Sequence, residues 1–221
     1  MLLVSTPSWE ATKGELHRFE RINGQWVEIG QPFVVSLGRN GSAWGTGLHP
    51  MPQPGPHKKE GDGRSPAGVF LIGDAFGYDA QLETKLNYRP MQPSHYCIDV
   101  PTSPLYTQIV DTKKAKKKHF KGATEPMRLD LHNNGDKRYA KGFVIAHNPK
   151  AVAGDGSCIF AHLQRNADET TAGCTAMPEA EMDTLLAWLD ASQYPVFVLL
   201  PENERARLTV GWRLPAMKLI Q

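Results

Sequence analysis

The chain has 221 residues, 40% of them hydrophobic and 22% charged, with a formal net charge of +2. That apolar content supports a sizeable core and excludes a chain disordered throughout. The charge is too small to argue for nucleic acid, and no run of 18 apolar residues is present to form a membrane-spanning helix.

Residues 2–5 read as a short apolar strand. Residues 16–22 and 25–29 flank Asn23-Gly24, a dipeptide suited to a two-residue hairpin turn because both positions take positive φ. Residues 32–37 are the next strand. Residues 38–68 are dense in Gly and Pro and have no period, the signature of a long functional loop. Strands resume at 68–73, 96–100, 142–147 and 157–162. Pro178 opens a helix predicted to run to Ala191, with Glu179, Glu181 and Asp183 at its positive end. Met182, Leu185, Leu186 and Leu189 form its apolar stripe. Residues 194–200 make a last central strand. No repeat or linker divides the chain, so residues 1–221 are expected to be one domain, mainly β with one or a few helices.

The start, MLLVSTPSWEATKGE, is short and polar and lacks a basic lead. The expectation is a periplasmic or cell-envelope protein if an upstream leader was removed, and a cytoplasmic one otherwise. Lys113 to Lys121 concentrate positive charge, read either as a solvated face or as a handle for an anionic polymer.

Three cysteines leave at least one thiol unpaired. Cys158, inside the apolar run SCIF, reads as a small core residue, and Cys97 reads as packing. Cys174 differs: it follows Gly173, precedes the helix, and lies downstream of His162 at the end of a strand. A histidine and a helix N-terminus both lower a thiol pKa from its free value near ~8.5. Gly173 permits a sharp turn that aims backbone N–H groups at an oxyanion, with Thr171 and Thr175 as hydroxyl donors. A buried, inert cysteine is the competing reading. His132, His147, His162 and Cys174 lack tight metal-ligand spacing, so no metal or cofactor is expected.

GSCIFAH followed by TTAGCTAM resembles the L,D-transpeptidase catalytic-domain (YkuD-like) family of peptidoglycan enzymes. Thr171 to Cys174 match its Ser/Thr-x-Gly-Cys turn, and GDGRSPAGVFLIG resembles its Thr-Pro-x-Gly-x-Phe segment. The N-terminal hairpins, CIDVPTSPLYTQIVD and GFVIAHN extend the likeness over nearly the whole chain. Ala172 stands where many members have a histidine. The resemblance implies a YkuD-like β-sandwich or mixed-sheet fold. It further implies that Cys174 attacks a peptidoglycan stem peptide and that His162 shuttles the proton. Gly173 and Cys174 N–H groups would hold the oxyanion, and D-alanine would leave from a thioester. His147 and Asn148, ending a neighbouring strand, are candidates to line the same cleft. Arg165, like Arg128, is a candidate for a stem carboxylate, because the guanidinium fork matches that group.

Overall fold

The computed structural model describes residues 1–217. The N-terminal strands are β1 (Leu2–Thr6), β2 (Lys13–Ile22), β3 (Gln25–Glu28) and β4 (Phe33–Ser36). Asn23 and Gly24 have φ of 50° and 81°, the left-handed pair that the β2–β3 hairpin requires. The Gly/Pro-rich stretch is an ordered wall. It contains β5 (Ser42–Trp44) and runs into β6 (Ser65–Gly77), 13 residues long.

The strand expected at 68–73 is therefore only the middle of a longer one. Its glycine serves close packing rather than an ending: a Cβ on Gly68 would lie 2.0 Å from the His49 ring. There follow β7 (Tyr88–Pro90), β8 (His95–Cys97), β9 (Ile109–Asp111), α1 (Lys117–Phe120), β10 (Glu125–Pro126) and α2 (Leu129–His132). The C-terminal part is β11 (Lys141–Ile145), β12 (Phe160–Leu163), β13 (Thr175–Met177), α3 (Glu179–Trp188), β14 (Val196–Pro201) and α4 (Glu202–Leu208).

The main sheet is mixed, in the order β1-β14-β6-β11-β12-β13-β4-β2-β3, and β1 also pairs with β2, closing the path on itself. β5 and β7 add to β6, while β10, β8 and β9 form a separate small sheet. The interior is packed by Leu2, Val4, Phe70, Phe143, Phe197 and Leu199. Met182, Leu185, Leu186 and Leu189 of the α3 stripe are buried as expected, against β11 and β12. Pro178 is the residue before the helix rather than its first turn.

Two expectations near the cysteines fail. The strand expected at 157–162 begins only at Phe160, because Cys158 has a left-handed φ of 54°. Cys158 is not a free core residue, nor Cys97 a packing thiol: the two form a disulfide that ties the small sheet to the approach of β12. Sequence periodicity carries no information about a partner 61 residues away.

Candidate active site

Cys174 is the free cysteine. It does not sit at a helix N-terminus, since β13 intervenes before α3. β12 and β13 are parallel, with Ala161 opposite Thr175 and His162 opposite Ala176. Side chains alternate along a strand, so Cys174, two residues before Ala176, lies on the face that carries His162. Thr175 projects to the other face and is 1% exposed. Tyr139, just before β11, roofs this face: its ring meets Phe160 and His162 edge-on at 5.5 and 5.3 Å. Its hydroxyl donates to Glu125 Oε1 at 2.6 Å.

The turn before the sulfur is built by Thr171. Its hydroxyl donates to the Cys174 carbonyl at 2.7 Å and accepts the Gly173 N–H at 3.0 Å. Ser65 Oγ also donates to the Cys174 carbonyl, at 3.0 Å. Gly173 has φ +146°, and a Cβ there would stand 2.9 Å from the Arg64 carbonyl oxygen. Only glycine fits that backbone without strain. The same bonds remove two expected roles. The Gly173 N–H is engaged within the turn, and the Thr171 hydroxyl is spent on the loop rather than presented to a ligand.

The sulfur accepts the Phe160 N–H at 3.4 Å and donates to the Cys158 carbonyl at 3.6 Å. Burial, then the nearby Glu125 carboxyl, pushes the thiol pKa up to about 12. The sequence had suggested a lowered value. The difference follows from desolvation, which opposes a thiolate and outweighs the Phe160 N–H and the Lys58 charge that favour it. His162 is lowered to about 4, chiefly by burial. Its Nδ1 lies 2.8 Å from the Leu163 carbonyl oxygen. A carbonyl accepts only, so Nδ1 carries the hydrogen and Nε2 keeps its lone pair. At rest the thiol and the imidazole are therefore both neutral.

Cys174 is 8% exposed, and it opens onto a cleft of about 550 Å³. Arg39, Lys58 and Glu60 of the Gly/Pro-rich segment form one wall; Asp99 and Glu125 of the small-sheet region stand on another. Lys58 is bound by Asp62 at 2.5 Å, and Glu60 accepts Ser157 Oγ at 2.7 Å.

Other expected site residues are structural. Asn148 is fully buried, with its Nδ2 donating to the Val152 and Gly156 carbonyls and its Oδ1 accepting the Val152 N–H. His147 is held between the Thr46 N–H and the Asp155 carbonyl, and burial lowers its pKa to about 4. Arg165 is paired with Glu169 at 2.9 Å and Arg128 with Asp130 at 2.7 Å; neither lines the cleft. Tyr139, Glu125, Arg39 and Lys58 were missed, since they come from distant segments and no local motif marks them. Among the described residues, no group of three or more His, Cys, Asp or Glu is arranged to hold a metal ion.

A family model described as the L,D-transpeptidase catalytic domain, YkuD, matches residues 17–198. Neither the comparison with curated proteins nor that with solved structures gave a match.

Proposed function

Because the chain belongs to the L,D-transpeptidase catalytic-domain family, whose members act on peptidoglycan, we propose that it is a cysteine L,D-transpeptidase of tetrapeptide stems. The observation that carries this reading is the shared face of β12 and β13. It turns Cys174 and a buried His162, whose tautomer is fixed by the Leu163 carbonyl, toward the same side of the sheet, where Cys174 borders an open cleft.

The neutral resting pair dictates the order of events. Sγ attacks the carbonyl before the terminal D-alanine as its proton passes to His162 Nε2, so no free thiolate accumulates in the buried site. The backbone donor beside the developing oxyanion is the Cys174 N–H, since the Gly173 N–H is held by Thr171. Imidazolium then protonates the leaving amine, D-alanine departs and a thioester remains. An amine of a second stem attacks the thioester, and Cys174 leaves as the thiol. Arg39 lines the cleft as a cation suited to a stem carboxylate. The Cys97–Cys158 bridge supports placement in the cell envelope, because disulfides persist in oxidising compartments.

The raised thiol pKa favours one competing reading, a wall-binding domain that keeps the fold without turnover. Incubation with tetrapeptide stems and mass analysis separates the outcomes. Cross-linked dimer with released D-alanine supports transpeptidation. Tripeptide alone makes the protein a carboxypeptidase. Folded protein that leaves the stems intact supports the binding module.

A further inference from the structure

No residue from Lys113 to Lys121 lines the Cys174 cleft. Six of the chain's 25 Lys and Arg fall in this run, which contains no Asp or Glu; the rest of the chain, with 19 basic residues against 23 acidic, is net acidic. All six lysines are exposed. Among the described residues, the lysines held in ion pairs are Lys58, Lys85 and Lys141, so none of the six has a carboxylate partner. Asp111, at the start of the run, accepts instead from Ser94 Oγ and the Lys113 N–H. The segment is nevertheless folded. The Ala115 N–H donates to the Asp111 carbonyl, the His119 N–H to the Lys116 carbonyl, and the Ser103 hydroxyl to the His119 carbonyl. Like charges fixed this close repel one another, a cost that a merely solvated turn does not require.

The run also has a fixed place beside the cleft. It joins β9 to β10 of the small sheet, and the Cys97–Cys158 bridge ties that sheet to Cys158 of the cleft lining. Lys121 is three residues before Thr124, which lines the cleft, so at most about 11 Å of chain separates them. Tyr96, Lys117, Phe120 and Lys121 line a hollow of about 330 Å³. We infer that this surface is a second binding site, which takes the carboxylates of neighbouring stems on a polymeric peptidoglycan strand while one stem occupies the cleft. This deepens the proposed function and rests on the substrate being peptidoglycan. Stem peptides carry free carboxylates that recur along a strand, and recurring anions match a row of unpaired ammonium groups. The hollow adds aromatic surface against which a stem or sugar packs. Engaging both sites with one strand makes the second contact intramolecular, so polymer is held more tightly than a free stem. An anionic bilayer fits less well, because the one large apolar side chain of the run, Phe120, is half-buried and not free to insert.

The test is cosedimentation with isolated, insoluble peptidoglycan at about 50 mM and about 300 mM NaCl, read beside D-alanine release from soluble tetrapeptide. The fourfold variant Lys114→Gln/Lys116→Gln/Lys117→Gln/Lys118→Gln removes charge from exposed positions, and the matching fourfold arginine variant keeps it. Wild type and the arginine variant cosediment, whereas the glutamine variant binds at least ~10-fold more weakly at the lower salt. The higher salt brings wild type toward the glutamine variant, because exposed charges are screened. D-Alanine release from soluble tetrapeptide is the same in all three, since the lysines stand outside the cleft. Lysine-dependent cosedimentation without any D-alanine release supports the second site and defeats the transpeptidase reading alone. Equal cosedimentation of wild type and the glutamine variant overturns the inference. So does failure of wild type to cosediment, or its tighter binding to phosphatidylglycerol vesicles than to peptidoglycan.

Discussion

Removing the Cys97–Cys158 bridge tests the link between the small sheet and the active-site floor. The bridged positions lie 61 residues apart. In the chain-entropy description, closing a loop of that length removes about 14 cal/mol/K from the unfolded chain, or about 4 kcal/mol at 25 °C. For a chain of this size each kcal/mol is worth about 2–4 °C, so the double variant Cys97→Ser/Cys158→Ser should melt about 10 °C lower. The effect extends beyond stability. The Cys158 carbonyl accepts the Cys174 thiol, and Cys97 packs in the same apolar cluster as Tyr139, Phe160 and Cys174. Stem turnover should therefore fall even at temperatures where the variant is folded. Urea unfolding followed by circular dichroism gives the stability, and the product assay gives the activity. A loss below about 1 kcal/mol, with mass analysis showing the wild-type bridge intact, would refute the loop-closure reasoning. Unaltered turnover in the folded variant would refute the coupling to Cys174.

Cys174→Ala should abolish D-alanine release and the acyl adduct while leaving the melting temperature within a few degrees; retained release would exclude Cys174 as nucleophile. Cys158→Ala is not a silent control, since it breaks the disulfide. Gly173→Ala places a methyl group against the Arg64 carbonyl at a positive φ, a strain of roughly 1–3 kcal/mol. It should cut turnover by at least tenfold, as read in the stem assay, because the strain falls on the bond entering the nucleophile. Stability should depend on acid through His147 and His162, both lowered to about 4 from 6.5. Above pH 6.5 both states are neutral and the contribution is complete. As pH falls toward 4 the unfolded chain binds protons that the folded one refuses, costing roughly 3 kcal/mol per histidine. Urea midpoints measured from pH 7 to 4 should drop across that window, and a flat profile would contradict the burial of these rings.

The sequence by itself determined what is local. The Asn23-Gly24 hairpin follows from the φ those residues tolerate, and the α3 stripe follows from helical spacing. The Gly173-Cys174 turn with an upstream histidine was legible because a nucleophile needs a tight bend and a base nearby in the chain. What came from afar was invisible. Cys97 and Cys158 each look apolar in their own segments, and only the docking of the small sheet makes them partners. Asn148 and His147 looked like cleft residues because they end a strand, but the loop that follows consumes their hydrogen bonds. The protonation state of Cys174 was decided by tertiary structure as well. Its own neighbours in sequence argue for an acidic thiol, whereas burial beneath Tyr139 and the carboxyl of Glu125 raise it, because desolvation and field depend on everything that surrounds an atom rather than on what precedes it in the chain.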